Sequence, residues 1–478
     1  MHRITPDRPW PLFGAAATRR IEQAAAAQLP PHTLMQRAGL AAARLALALA
    51  PHARTIWIAC GPGNNGGDGL EAAMHLKQWG KQPVVTWRGE EGKAPVDARA
   101  SLRRARDAGV VFADAPPTQW DFALDALLGI GATRPAEGRM QEWMHLLSEH
   151  ADAVLAVDLP SGLNADTGQG DPVRAAHTLS LLTLKPGLFT GSGRDACGAV
   201  WWHGLDVSPA LAPQADAWLS GPPADAVRLH ASHKGSYGDV AVIGGAAGMS
   251  GAALLAATAA LHGGAGRVFV SLLDRDAMTV DVQRPELMFR SWDTLDLAGM
   301  AVACGCGGGD AVRDVLPRVL STAHALVLDA DALNAVATDP QLRAQLQARG
   351  RRVERVTVLT PHPLEAARLL GNSTAHVQAD RVAAARALAE EFGAACVLKG
   401  SGTVIAAPRT APRINPTGNA RLATAGTGDV LAGMVGARLA RGMGAFEAAC
   451  DAVYAHGLAA DRWPEGETLT AQGLARAA

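Results

Sequence analysis

Residues Asn415 to Gly433 read NPTGNARLATAGTGDVLAG, and the fold of the chain is read outward from them. Gly426 and Gly428 let the backbone pass close to a ligand, where a side chain would intervene. Val430, Leu431, Val435 and Leu439 then recur at helical spacing, so a helix is expected to start near Gly428. The loop amides and the positive end of that helix would face an anion such as a phosphate. Asp429 sits where those amides converge. A carboxylate repels a phosphate, so its presence calls for a task. The task that fits is to take the proton from a hydroxyl attacking phosphorus. The alternative is an Asp that caps a glycine-rich turn.

The same pattern of strand into small-residue turn fills the C-terminal half. Val240 to Ile243 leads into a glycine turn at Gly244 to Gly251 and a small-residue helix at Ala252 to Leu261. So many small residues on one helix imply close packing. Ala301 to Gly309 (AVACGCGGG), Leu326 to Asn334 (LVLDADALN), Val358 to Glu365 (VLTPHPLE) and Val397 to Val404 (VLKGSGTV) repeat the motif. Strands that all end in polar or small turns suit a parallel sheet with its site along one edge. His362 lies between two prolines and is held rigidly, either in the site or on a solvent-facing loop.

The N-terminal half reads similarly. Two helices are expected within residues 18 to 50, split at Pro30-Pro31. Arg54 to Cys60 (RTIWIAC) is a buried strand that runs into GPGNNGGDG at Gly61 to Gly69. Asn64, Asn65 and Asp68 add side-chain donors and acceptors to that glycine loop, which could bind phosphate by its amides or a cation by its oxygens. Strands are expected at Pro83 to Trp87, Val110 to Phe112, Asp121 to Leu128 and Ala153 to Asp158, giving a βαβ rhythm. Two of them end in polar turns, DALLGIGATRP from Asp125 and VDLPSGLNADTG from Val157. Asn65, Asp125, Asp158 and Ser161 could therefore meet in one crevice. Leu205 to Val227, rich in Pro and Ala, reads as an interdomain connection, with the boundary near Leu219.

At 478 residues two domains are expected, 1–218 and 219–478. Hydrophobic residues make up 48% and charged residues 19%, the balance of an ordinary soluble protein. The net charge of -1 offers no basic surplus for nucleic acid or anionic membrane. The six cysteines are scattered and complete no zinc motif, so they read as reduced thiols of a cytoplasmic protein. Leu40 to Ala50 is short and broken by Arg44, a buried helix rather than a membrane span. The first residues lack the apolar run of a signal peptide.

GPGNNGGDG, LLGIGATRP and VDLPSG together resemble the NAD(P)H-hydrate epimerase family over roughly Ile21 to Leu205. The resemblance implies that Asn64, Asn65, Gly66, Gly67, Asp68, Gly129, Ile130, Gly131, Ala132, Thr133, Arg134 and Pro135 line a hydrated nicotinamide nucleotide. It implies that Asn65, Asp125 and Ser161 ligate K⁺, and that Asp158 meets the substrate as acid/base. The C-terminal motifs are similar to those of the ADP/ATP-dependent NAD(P)H-hydrate dehydratases over roughly His230 to Ala460. That implies Lys399, Gly400, Ser401, Gly402, Thr403 and Gly428 on the adenine nucleotide, and Ala253, Gly307, His362 and Asp429 on the hydrate, with Mg²⁺ beside ADP. The chain departs from that family with GCGGG at Gly305 to Gly309 where GPGLG is common, and with Leu422 and Ala425 where Met and Gly are common. The implied fold is α/β in two domains, a Rossmann-like doubly wound sheet followed by a ribokinase-like domain. The implied function is repair of hydrated NADH and NADPH by a homo-oligomer. Two rivals stand beside it: a ribokinase-like small-molecule kinase, and a non-catalytic nucleotide-binding module in the N-terminal half.

Overall fold

Apolar runs bounded by glycine turns become the strands of two mainly parallel sheets. The computed structural model describes residues 1–131, 134–223, 230–274 and 276–478. The chain divides into one unit of Met1–Thr5 with Trp10–Ala217 and another of Pro6–Pro9 with Trp218–Ala478.

In the first unit the central strand is Thr55–Cys60, TIWIAC. Its residues alternate between two cores: Ile56, Ile58 and Cys60 pack on one face, and Trp57 and Ala59 on the other. This is why the run is apolar throughout rather than alternating. Helices Thr33–Leu49, Asn64–Gln78 and Val96–Asp107 cover the first face, and Arg139–Glu149 covers the second through Trp143, Met144 and Leu147. From the central strand the sheet grows one way through Gln82–Trp87 and Val111–Ala113. It then returns to the other side with Phe122–Ala126, Val154–Val157, His177–Leu181 and Ala199–His203, all parallel. His2–Arg3 adds an antiparallel edge. The order reverses between Thr55–Cys60 and Phe122–Ala126, so their carboxyl ends open the crevice where such folds bind ligands. The last two parallel strands escape the apolar pattern because Thr178 and Ser180 are buried in one of them. Their hydroxyls are satisfied by the carbonyls of Cys197 and Thr183.

The second unit repeats the plan. Asp239–Gly244 is followed outward by Arg267–Leu272 and Met288–Phe289, and on its other side by Ala301–Cys304, Ala325–Leu328, Val356–Leu359 and Ala395–Leu398. All of these are parallel. Val404–Ala406 and Arg413–Ile414 then turn back antiparallel. Ala217–Leu219 runs parallel to Arg413–Ile414, so the segment expected to be a linker carries a strand. Three residues are too few to show a period. The helix Ser250–His262 packs on the helix Thr427–Ala440, and a Cβ placed on Gly433 would lie 1.9 Å from the Ala256 carbonyl oxygen. That close approach explains the small residues on both helices. Among the described residues no helix is long and apolar enough to cross a membrane.

Candidate active sites

In the first unit a cavity of about 590 Å³ lies at the switch point, lined among others by Asn64, Asn65, Asp68, Asp158 and Lys185. The GPGNNGGDG turn is shorter than its composition implies, because the helix already begins at Asn64. Its glycines are packing residues. A Cβ on Gly66 would come within 2.0 Å of the Gly61 carbonyl oxygen, and one on Gly67 within 2.6 Å of Met35 Sδ. The helix thereby sits tightly on the sheet and presents Asn64, Asn65 and Asp68 to the cavity, while Gly66 and Gly67 do not line it. Gly129, Ile130 and Gly131 also line it, Gly129 directly against the Asn65 side chain. Arg134 and Pro135 are exposed and outside that lining, and Ala132 and Thr133 lie outside the described residues.

Beneath the cavity Asp125, fully buried, accepts from the Ser161 amide at 2.7 Å and the Ser161 hydroxyl at 2.5 Å. Burial pushes its carboxyl up to about 6, against the hydrogen bonds from Ser161 and Leu127. Asn65 Nδ2 donates to the Leu128 carbonyl at 3.1 Å, whereas its buried Oδ1 has no hydrogen-bond partner among the described residues. An orphaned amide oxygen beside a buried carboxylate and a serine hydroxyl is an oxygen-only donor set that fits a hard cation.

Asp158 has a left-handed φ of 67°, unusual for a residue with a side chain. Its Oδ1 accepts from the Leu181 amide at 3.2 Å and from the ammonium of Lys185, whose side chain is fully buried. Lys185 also donates to the Leu181 carbonyl at 2.8 Å. The site's charge is crowded: burial and then Asp158 hold Asp68 well above the usual carboxylate range, and raise Glu22 on the cavity wall. The motifs did not single out Lys185. The signal was there, since a lysine ending an apolar run (TLSLLTLK) cannot be buried without a partner.

In the second unit the carboxyl ends of the strands bring together Asp329, Lys399 and Asp429. Lys399 Nζ donates to Asp329 Oδ1 at 2.7 Å, and Thr360 Oγ1 donates to the same oxygen at 2.7 Å. Desolvation works against the Lys399 charge, but Asp329 and Glu365 outweigh it and the ammonium is held above its usual value. Arg381, buried behind this turn, donates to the carbonyls of Leu398 and Lys399, both at 3.1 Å. Gly428 faces Lys399, whose Nζ lies 3.4 Å from the position of a Cβ there. Ser401 is exposed, Gly402 is buried with φ 61°, and Thr403 Oγ1 donates to the Gly400 carbonyl at 3.1 Å.

Asp429 stands in the first turn of the helix Thr427–Ala440. Burial and then Asp329 push its carboxyl up to about 6. Cys306, on the turn after Ala301–Cys304, donates its thiol hydrogen to Asp329 Oδ2 at 3.9 Å, and the Asp429 carboxylate lies within 4.8 Å of the same sulfur. Gly307 has φ 57° and its Cβ would meet the Met249 carbonyl oxygen at 2.8 Å, so only glycine suits this turn. Ala253 is fully buried, its methyl under Gly245. His362 caps its helix: Nδ1 accepts from the amides of Leu364 and Glu365, while Nε2 lies 3.2 Å from Glu365 Oε1. Burial and then Lys399 lower the pKa of this imidazole, and burial raises Glu365 to about 7. Asp329 and Cys306 were not singled out as site residues by the sequence.

Residues 240–477 match the family described as NAD(P)H-hydrate dehydratase, and residues 31–187 the family described as YjeF-related protein N-terminus. The chain is 36% identical over 457 residues to the bifunctional NAD(P)H-hydrate repair enzyme Nnr of Escherichia coli K12, covering 90% of this chain and 85% of that one. It is 35% identical over 453 residues to the Nnr of Coxiella burnetii, covering 91% of each chain. The ADP-dependent (S)-NAD(P)H-hydrate dehydratase of Neisseria meningitidis is 47% identical over 255 residues, covering 52% of this chain and 84% of that one.

Proposed function

The chain belongs to the family of bifunctional NAD(P)H-hydrate repair enzymes, and on that premise we propose which residues carry each half of the reaction. Residues 1–218 equilibrate the R and S hydrates of NADH and NADPH. Residues 219–478 dehydrate the S form, converting ADP to AMP and phosphate.

In the first unit Asp158 is the acid/base at the carbon that bears the hydroxyl. Among the described residues both side-chain hydrogen bonds of Asp158 fall on Oδ1, from Leu181 and Lys185, which supports a fixed orientation with Oδ2 toward the cavity. Asp68, its carboxyl held well above the usual range by burial and Asp158, lines the same cavity and is a candidate proton donor for the departing or returning hydroxyl. K⁺ would be held by Asn65, Asp125 and Ser161, and when bound would supply positive charge at this end of the site.

In the second unit Asp429 takes the proton of the substrate hydroxyl as its oxygen attacks the terminal phosphorus of ADP. Hydroxide leaves a saturated carbon poorly and phosphate leaves well, so the ring nitrogen can then expel phosphate, and loss of a proton from the neighbouring ring carbon restores the reduced nicotinamide. The amides of Ala425 to Gly428 and the Lys399 ammonium balance charge on the transferring group. Mg²⁺, when bound with the nucleotide, neutralises its phosphates. The six cysteines are all free and buried, which suits a reducing cytoplasm, and a homo-oligomer is the expected assembly.

The observation that carries this reading is the half-buried Asp429 at a helix N-terminus beside Lys399, with its pKa raised to about 6. The test is recovery of reduced-nicotinamide absorbance from mixed R and S NADH hydrates with ADP, Mg²⁺ and K⁺. Complete recovery is expected. Recovery that stalls at the S fraction overturns the epimerase assignment, and accumulation of a phosphorylated product with no recovery identifies a kinase.

A further inference from the structure

Cys306, Asp329 and Asp429 come from three separate elements: a turn, a strand end and the first turn of a helix. One ligand atom from each lies within 4.8 Å of the others. Zinc bound at the usual sulfur and oxygen distances sets its tetrahedral ligands about 3.4–3.6 Å apart. The 3.9 Å from Cys306 Sγ to Asp329 Oδ2 is already close to that spacing. Asp329 uses Oδ1 for Lys399 and Thr360, so Oδ2 remains on the side of the thiol. We propose that these three residues form a binding site for a thiophilic divalent cation, Zn²⁺ or Cd²⁺, which shuts off the dehydratase by occupying Asp429.

The chemistry of the donors selects the metal. Mg²⁺ prefers all-oxygen octahedra and keeps its waters, whereas a thiolate favours Zn²⁺ and Cd²⁺. Three protein ligands leave a fourth position open to water or a phosphate oxygen. The thiol gives up its proton to solvent as the metal–sulfur bond forms. Lys399 on the other oxygen of Asp329 repels the metal and weakens its hold, so binding is reversible by a chelator. Cys306 thereby makes the catalytic carboxylate sensitive to a metal that the reaction does not use.

The proposal rests on Asp429 as the dehydratase base for its inhibitory consequence, but not for binding, and the experiment separates the two. The full chain is titrated with Cd²⁺ while thiolate-to-cadmium charge-transfer absorption is followed. In parallel, Zn²⁺ is titrated into the dehydration assay at fixed Mg²⁺ and ADP. Saturation at one Cd²⁺ per chain is expected, with the band lost in Cys306→Ala. Chelator-reversible inhibition by Zn²⁺ is also expected, needing at least tenfold more metal in that variant. A band of full strength in Cys306→Ala, or none in the parent chain, overturns the site. Cys306→Ser, nearly isosteric and a far poorer ligand, serves the same comparison if the alanine variant does not fold. A cysteine-dependent band in a protein without turnover keeps the metal site and sinks the dehydratase reading. Turnover without a band does the reverse.

Discussion

Asp125 in the first unit and Asp429 in the second are both pushed by burial to a pKa of about 6. Both stand where the carboxyl ends of a parallel sheet open at the reversal of strand order. Their surroundings differ. Asp125 is fully enclosed and takes hydrogen bonds from both donors of Ser161. Asp429 is half-buried with the Cys306 sulfur within 4.8 Å, and among the described residues its carboxylate accepts from no backbone amide. The capping reading of Asp429 thus has no amide behind it. Equal shifts in pKa therefore fit different tasks: three hydrogen bonds orient the enclosed carboxylate and leave it a lone pair that a cation could take, whereas the one left facing the crevice is placed to move a proton.

The sharpest way to break that contrast is Asp429→Asn. It keeps shape and removes the base, so dehydration should fall by about 10²–10⁴-fold while epimerisation is unchanged. Separate rates for the two steps check this. A variant retaining a tenth or more of the dehydration rate would return Asp429 to a structural role.

Asp158→Ala comes next. It leaves the fully buried Lys185 ammonium without its carboxylate, which typically costs about 3–5 kcal/mol. Calorimetry should show a lowered transition for the first unit, and absorbance recovery should stall at the S fraction. Asp158→Asn can still accept from Lys185 and the Leu181 amide. It should keep most of the stability and lose the epimerisation, which separates chemistry from scaffolding.

Potassium dependence sharpens the Asp125 side. Its folded pKa, about 6, stands above its ordinary 3.8, so protonated Asp125 is favoured by the fold. Without a cation that stability is complete below pH 3.8 and is lost as pH rises through about 6, amounting to about 3 kcal/mol. On the proposed assignment K⁺ would bind the ionised form and offset the loss. The first unit's melting temperature should therefore rise with K⁺ at pH 8, respond little at pH 5, and lose the response in Asp125→Asn. Indifference to K⁺ at pH 8 would remove Asn65, Asp125 and Ser161 as its ligands.

The strand-and-glycine rhythm made the fold legible, because residues buried on both faces of a parallel strand must be apolar and the turns that follow must be small. The carboxylates at strand ends were legible for the same reason. Their partners were not. Lys185 reaches Asp158 only because His177–Leu181 pairs with Val154–Val157, and Lys399 reaches Asp329 across the intervening strand Val356–Leu359. Strand order is a long-range property that local pattern does not encode. Gly66 and Gly67 show the converse limit. Their motif pointed to a ligand, but the space they leave is filled by Gly61 and Met35, and it is the flanking Asn64, Asn65 and Asp68 that reach the cavity.

The smallest expected effect lies behind Asp429. Burial lowers His456 to about 4, so its imidazole is neutral at pH 7. Its Nε2 is 2.9 Å from the Thr427 carbonyl oxygen, which can only accept, so Nε2 carries the hydrogen in the assigned tautomer. Thr427 is the first residue of the helix that holds Asp429, and its hydroxyl is tied to the carbonyls of Leu422 and Thr424. His456, buried, thus fixes the turn from behind. His456→Leu should remove one buried hydrogen bond, costing about 1 kcal/mol in the second unit's unfolding and a few-fold in dehydration kcat. His456→Gln retains an amide donor and should recover most of both. If Gln and Leu behave alike in kcat while differing in stability, His456 supports the core and not the position of Asp429.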